Sequence, residues 1–366
     1  MTVVKNIGKD RVFQITAIIA ILSLFFARPH LADINFSTLW SLLAMMTIIQ
    51  IFEYLHVLDY LTYRLTSHAT NSRQLSWFFV LLSFVGAMFL TNDMAVLTCI
   101  PLYLRIARKY DLPEIIPVTA IAIAANFGSA LTPFGNPHNI FLMSKFHISL
   151  GQFGAWVWPL VIADVVFLAL LSSLVPKRTV PTVPVVDIRI NPRPTTITCI
   201  AALLVFVAVF GVIPQWVAAV VVVALAAMMD HRILGQVDYG IICTFVGFFI
   251  IVSDISQIPA VVTTLKHLET NPVSVYLTSI VTSQVISNVP STVLVARFSN
   301  QVAALFYGTN IGGLGTLVAS LCNLLSFKQY GLYSRRSKGR FLLFFTIINF
   351  VALAIMGALG WWLLVR

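Results

Sequence analysis

Apolar stretches of about 17 to 30 residues recur from Val12 to Val365. Each is long enough to cross a hydrocarbon core of roughly 30 Å at about 1.5 Å of helix rise per residue. A chain spaced in this way folds in a bilayer, where every backbone polar group has to find its partner inside the protein. Composition agrees: 59% of the 366 residues are hydrophobic and 10% charged, against roughly 25% charged in soluble domains. The longest polar stretch, residues 177–194, contains Pro181, Pro184, Pro192 and Pro194 and reads as a cytoplasmic linker between two halves. The stretch Val12 to Ala27 follows Lys5, Lys9 and Arg11 but lacks a small-residue cleavage site, so it is taken as the first membrane helix rather than a signal peptide.

Plain spans are legible near Val12–Ala27, Leu39–Val57, Gln152–Val175, Thr195–Val212, Trp216–Met229, Tyr239–Ile258 and Phe341–Val365. Four other stretches resist that reading. Residues 75–107 and 272–297 carry polar clusters at their centres, and residues 115–146 and 302–327 are interrupted by Gly, Asn, Pro and Ser.

Charge threads the chain. Residues 75–107 are preceded by Arg64 and Arg73 and followed by Arg105, Arg108 and Lys109, so both ends belong on the cytoplasmic side. A re-entrant hairpin satisfies this, with arms of about 15 residues, roughly 22 Å, turning at Thr91-Asn92-Asp93. A matching hairpin over 272–297 turns at Ser287-Asn288-Val289-Pro290-Ser291-Thr292. With the N-terminus cytoplasmic, only Arg28, Lys145, Lys266, Arg297 and Arg366 of the 23 Lys and Arg then fall outside. The cluster Lys328, Arg335, Arg336, Lys338 and Arg340 comes out cytoplasmic without having been used.

Residues 126–139 align without gaps on residues 310–323, pairing Asn126 with Asn310, Gly128 with Gly312, Thr132 with Thr316 and Asn139 with Asn323. Each stretch follows a hairpin whose tip carries an Asn, Asn92 or Asn288. An odd number of crossings separates the hairpins, so the repeats are inverted, the pattern of transporters whose site lies near the midplane. The expected fold is an all-α polytopic membrane protein of about nine spanning segments plus two re-entrant hairpins, in two inverted-topology repeats with broken helices. Residues 1–176 form the first repeat (hairpin 75–107, broken helix 115–146), 177–194 the linker, 195–213 a connecting span, and 214–366 the second repeat (hairpin 272–297, broken helix 302–327).

Unbroken, residues 115–146 would make a helix of about 48 Å, well beyond the bilayer core. Gly128, Pro133, Gly135 and Pro137 interrupt it. Backbone freed at membrane depth has to line a wet cavity or be buried in protein. Four such breaks meeting in one place make a site of Asn and Ser/Thr side chains, free carbonyls and helix N-termini that favour anions. The candidate substrate or ion site is therefore Thr91, Asn92, Asp93, Asn126, Gly128, Thr132, Gly135, Asn136, Asn139, Ser287, Asn288, Ser291, Thr292, Asn310, Gly312, Thr316 and Asn323. Kinks for helix packing, with Asn as interhelical glue, are the structural alternative.

Of the thirteen acids, Glu53, Asp93, Asp164 and Asp254 fall within the membrane. Asp93 is the first candidate for ion coupling, because a charge at a hairpin tip is costly unless a proton, cation or water compensates it. It could also cap the helix starting at Met94. Glu53 and Asp254, each near the end of the span before a hairpin, are further coupling candidates, and an interfacial location explains either equally well. Asp164 sits in an apolar span without an assigned role. His138, inside the first break, reads as a hydrogen-bonded wall residue.

The net charge of +10 lies at the ends of apolar segments, which argues for membrane topology and against nucleic acid. Cys99, Cys199, Cys243 and Cys322 are scattered singly, giving neither a disulfide framework nor a metal site. No H-E-x-x-H, G-x-S-x-G or P-loop motif is present, so an enzyme is not expected. The expected partners are membrane lipid and a small-molecule or ion substrate, with no cofactor beyond a coupling H+ or Na+.

These tips and breaks, from Thr91-Asn92-Asp93 through Gly135-Asn136-Pro137-His138-Asn139 and Ser287-Asn288-Val289-Pro290-Ser291-Thr292 to Asn310-Ile311-Gly312-Gly313, resemble the ion transporter superfamily. That superfamily includes arsenite permeases, citrate permeases, Na+/H+ antiporters of the same fold and divalent-anion symporters. The resemblance is nearest to bacterial arsenite-permease-like transporters and covers nearly the whole chain. It implies a secondary active transporter for a small anion or metalloid in the cell membrane, and also implies a homodimer and elevator-like motion. The dicarboxylate symporters carry Ser-Asn-Thr at both tips, whereas the first tip here reads Thr-Asn-Asp. A carboxylate there repels a dianion unless protonated or paired, which favours a neutral or monoanionic solute, or a cation, moved with protons. Na+/H+ antiport, a channel and dicarboxylate symport stay open as alternatives.

Overall fold

A computed structural model describes residues 11–25, 27–57, 60, 69–180, 190–268 and 271–366. Lys5, Lys9, Arg64 and half of the linker, residues 181–189, lie outside the described residues. All elements described are helices apart from one isolated bridge, Asn71 to Thr179.

The first half runs α1 (Arg11–Ser23), α2 (Phe36–Tyr54), α3 (Ser72–Leu90), α4 (Asn92–Lys109), α5 (Ile115–Ala130), α6 (Pro137–Phe146) and α7 (Leu150–Ser173). The second runs α8 (Pro192–Val209), α9 (Gln215–Met229), the short α10 (His231–Leu234), α11 (Tyr239–Ile255), α12 (Pro259–Leu268), α13 (Pro272–Ile286), α14 (Asn288–Val295), α15 (Val302–Ile311), α16 (Leu321–Tyr333) and α17 (Lys338–Val365). Local chemistry sets many of the starts. Asn35, Asn71 and Asn271 accept the backbone N–H three residues on, and Ser149 with Gln152 forms a capping box.

Two pairs, α3–α4 and α13–α14, are hairpins. Phe79 and Tyr103, equidistant along the chain from Thr91, meet with ring centroids 5.4 Å apart. The open end is held by one residue: Ser72 N–H donates to Arg178 O (2.8 Å), while the Arg178 guanidinium donates to Asp111 O (2.6 Å). In α13–α14, the Ser291 hydroxyl reaches Thr282 Oγ1 (2.5 Å) and Ser279 O (3.2 Å) across the fold. Each turn is a single residue, Thr91 (φ 99°) or Ser287 (φ 75°), rather than the three and six residues expected. The next residue is already helical.

The hairpins open to opposite faces. One face gathers Arg73, Asp111, Glu114, Arg178 and Arg336, with Arg336 on Asp111 at 2.8 Å. The other gathers Asp33, Lys145, Ala296 and Arg297, with Arg297 on Asp33 at 2.7 Å. Spanning helices enclose the broken ones. Residues 117–130 of α5 are buried on every side, and Ala120, Ala122, Ala124 and Ala125 allow the close approach that helix contacts in lipid rely on. In α17 most of the span faces outward.

Three boundaries differ from expectation. The start of the linker is not free, since Val180 N–H donates to Thr70 O (3.1 Å) and Val180 is buried. Helix α12 was not foreseen, because Pro259–Leu268 is short and mixes polar with apolar residues. The broken second helix extends to Tyr333 rather than 327. The basic loop after it tests the orientation. Ser334 is tied to Glu114, so the exposed Arg335 is the position to label. Arg335→Cys should react with an impermeant thiol reagent only after cells are permeabilised, because basic loops stay cytoplasmic; labelling of intact cells would reverse the topology.

Candidate functional site

The two hairpin tips and the two helix breaks meet. Asn92 N–H donates to Gly135 O (3.2 Å), and Asn288 N–H donates to Ala319 O (2.9 Å). Asn92 Nδ2 also reaches Ser320 Oγ (3.4 Å), so both tips touch the second break.

Each break holds its own backbone by the same bonds. Thr132 Oγ1 donates to Met88 O, and Thr316 Oγ1 donates to Gln284 O (3.0 Å). The same hydroxyls accept from Gly135 N–H and Ala319 N–H, both at 3.1 Å. Asn139 Nδ2 donates to Ser129 O and Thr132 O (3.4 and 3.3 Å), and Asn323 Nδ2 donates to Gly313 O and Thr316 O (3.0 Å each). Carbonyls freed by the breaks are thereby satisfied at membrane depth, as the medium demands. The breaks are then bonded to each other reciprocally. Asn126 Nδ2 donates to Asn323 Oδ1 (2.8 Å), and Asn310 Nδ2 donates to Asn139 Oδ1 (2.9 Å).

This geometry divides the candidate residues by what their side chains do. Asn126, Asn139, Asn310, Asn323, Thr132 and Thr316 form the frame. Gly128 is required by close approach, since a Cβ there would lie 1.9 Å from Phe84 O. Gly135 and Gly312 face similar obstruction. Ser291 and Thr292 are buried and bonded within their hairpin. Asp93, Asn136, Ser287 and Asn288 remain at the centre, with Asn92, whose amide also donates to Asn126 Oδ1 of the frame (3.1 Å). Asp93 is half-buried in the first turn of α4, which begins at Asn92 rather than Met94, and so it is not the N-cap.

Helix ends give the centre its field. The N-termini of α4, α6, α14 and α16 converge here. Their N-cap residues, Thr91, Asn136, Ser287 and Ser320, are of capping type, yet none makes a side-chain cap hydrogen bond. Elsewhere, eight described helices are capped by Asn, Ser or Asp side chains. Ser320 and Asn136 turn instead to Asn126 (3.1 Å) and Ser129 (3.4 Å). Four helix N-termini without side-chain caps give the centre a positive field, although Asn92 and Asn288 N–H are taken by Gly135 O and Ala319 O and Asp93 N–H by Asn92 Oδ1. Thr91 and Ser287 hold positive φ without being glycine, strain of the kind kept where the surroundings enforce it.

Two coupling candidates lie elsewhere. Glu53 is exposed at the end of α2. Asp254 is buried at the end of α11, where it accepts from Ser23 Oγ (2.6 Å). Ser320 and Gln284 were missed. Ser320 was legible as the partner of Asn136 in the internal alignment; Gln284, which binds Gly312 O (2.8 Å) and Leu314 O (3.0 Å), stands where the first repeat has Met88 and left no signal. His138 is fully buried and meets Asn310 Oδ1 at 3.1 Å, as a bonded wall residue.

The reciprocal frame gives a measurable symmetry. Asn126→Ala and Asn310→Ala should each lower stability by about 1–3 kcal/mol, since each leaves a buried partner unsatisfied. Thermal unfolding in detergent would read this, and a loss at only one of the two would contradict the symmetric frame. Gly128→Ala should give no folded protein by size-exclusion chromatography.

A model of the citrate transporter family, CitMHS, matches residues 5–305. The inner membrane protein YbiR of Escherichia coli is 29% identical over 97% of this chain and 98% of its own. The protein named uncharacterized transporter MJ0456 of Methanocaldococcus jannaschii is 30% identical over 89% of each chain. In fold, the chain is similar to the Alcanivorax borkumensis YdaH transporter, whose crystal structure was described as having an unusual topology, with a TM-score of 0.58, 12% identity, and coverage of 97% and 98% of the two chains. With a family match over most of its length and a multi-pass fold of inverted, broken-helix repeats, the chain is a membrane transporter belonging to the citrate transporter family.

Proposed function

We propose that the protein is a secondary active carrier that moves a small inorganic or organic anion or metalloid across the cell membrane, coupled to protons or sodium, with its N-terminus cytoplasmic. The observation that carries this reading is the meeting of four helix N-termini without side-chain caps between two inverted hairpins. Anionic oxygens can take the donors that Thr91, Asn136, Ser287 and Ser320 leave to the centre. Asn92 and Asn288 contribute amides at the two tips. Na+/H+ antiport is supported by one feature, the Asp93 carboxylate beside the C-terminal carbonyl end of α3.

Asp93 is the coupling residue of this proposal. A proton or cation on it removes its repulsion of an incoming anion, so cargo and coupling ion bind together. Asp93→Asn keeps the size and removes the charge. In proteoliposomes with imposed pH or sodium gradients and a panel of solutes, it should cut gradient-driven uptake at least about tenfold, the scale of one lost charge interaction, with unchanged protein yield. Asn92→Ala and Asn288→Ala should weaken apparent affinity instead. Gradient-driven uptake by Asp93→Asn with an unaltered pH profile would end the coupling role. The homodimer belongs to the same proposal and is read by mass in nanodiscs.

A further inference from the structure

On the face opposite Arg178 and Arg336, a cavity of about 350 Å3 is lined by Asp33, Asn35, Phe141, Lys145, Val293 and Arg297 among others. Two of its walls are the helices that start at the central site; Ala32 to Asn35 and α11 supply the rest. Helix α6 begins at Pro137, two residues beyond the Gly135 carbonyl that holds Asn92, and α14 begins at the tip residue Asn288. Lys145 and Arg297 lie eight and nine residues further on, about 12–14 Å of rise at 1.5 Å per residue. Phe141 and Val293, each one turn nearer the tips, line the same cavity. Cations thus stand nearer the outer ends of the two helices, with apolar side chains one turn closer to the N-termini.

The charges are unequal. Arg297 is matched: its guanidinium holds both oxygens of Asp33 (2.7 and 3.2 Å), and Asp33 also accepts from Ser253 Oγ (2.7 Å). Lys145 is not. Its ammonium donates to Ala296 O at the end of α14 and lies over the Phe141 and Phe146 rings at 5.7 and 5.5 Å. No carboxylate among the described residues is within salt-bridge distance of it. Two cations, Lys145 and Arg297, thus share the cavity with one carboxylate, Asp33, which is paired with Arg297; the lining carries a net positive charge, a condition that draws anions.

We propose that this cavity is a capture site for a small monoanion, a carboxylate or an oxyanion, held by Lys145 before it passes between Phe141 and Val293 to the central site. Arg297 is the second ligand, reached by exchanging Asp33 for the incoming anion. The proposal rests on the anion reading of the cargo. A purely structural Lys145 would staple α6 to the end of α14 and affect stability without creating any charge preference in the cavity.

The test reads the cavity directly. In a Cys199→Ser, Cys243→Ser background, Val293→Cys is placed in the neck and Ala32→Cys at the exposed rim. Each protein, in nanodiscs, is treated with anionic sulfonatoethyl or cationic trimethylammonioethyl methanethiosulfonate. At low ionic strength Val293→Cys should prefer the anionic reagent over the cationic one, relative to Ala32→Cys, by on the order of tenfold. The preference should collapse with Lys145→Gln, return with Lys145→Arg, and fade in high salt. Equal preference with and without Lys145, preference for the cationic reagent, or no reaction at Val293→Cys while Ala32→Cys reacts would each overturn the proposal. The readout needs no transport. If the cavity selects anions but proteoliposomes take up none, the cargo reading fails and the capture site stands as an anion site.

Discussion

Interrupting a helix inside a bilayer frees backbone groups that only the protein can satisfy, and this requirement organises the whole structure. The solution is reciprocal. The side chains of Asn139 and Asn323 bind the carbonyls of their own breaks, while Asn126 and Asn310 bind across to the other break. Neither repeat completes its frame alone. A half-chain would leave buried amide groups without partners, at a cost of about 1–3 kcal/mol each. The inverted repeat is thus a condition of the site's existence as well as its symmetry.

Once the frame is closed, the tips can be held in conformations the chain would otherwise avoid. Thr91 and Ser287 adopt positive φ, at a cost on the order of 1–3 kcal/mol each, because each following N–H is fixed on the break of its own repeat, by Gly135 O or Ala319 O. The abrupt turn starts α4 and α14 without a side-chain cap. Strain at the tips and the positive field of the centre are two results of one geometry. The close packing that enforces it leaves room for hydrogen only at Gly128, and Gly315 (φ 100°) has Gln284 Oε1 where a Cβ would sit.

Much of this was legible in the sequence because bilayer depth makes interruption conspicuous. A Gly, Asn or Pro that would pass unnoticed in a soluble loop stands out in the middle of residues 115–146, and basic residues at both ends of 75–107 required a hairpin. What could not be read was contact. The exchange of partners between Asn126, Asn139, Asn310 and Asn323 depends on two segments far apart in sequence, and a side chain's choice between its own break and the other carries no local signature. Glu53 and Asp254 stayed as further coupling candidates behind Asp93 because sequence fixes which span holds an acid, but not which way it faces or how deep it lies. The single-residue turns were read too long because Asn92 and Asn288 are common turn residues, yet here both are already helical.

Symmetry explains how one site can be presented to either face, but symmetry alone makes no distinction between cargo and coupling ion. That distinction has to come from positions where the repeats differ. Asp93 stands where the second tip has Val289, Asn136 where the second break has Ser320, His138 where it has Cys322, and Met88 where the second hairpin has Gln284. Each difference is set on an otherwise matching backbone, so the frame tolerates exchange of chemistry without loss of shape. The half that contains the acid is the one whose break also contains Pro133, Pro137 and His138, while the half without it uses Gln284 to bind three backbone groups of its break. Both repeats therefore hold their breaks by side-chain bonding, to which the second adds Gln284 and the first the stiffness of Pro133 and Pro137. The first tip, Thr91-Asn92-Asp93, is tied through Asn92 to both breaks and differs from the second by the carboxylate of Asp93, where a difference in chemistry between the repeats is largest.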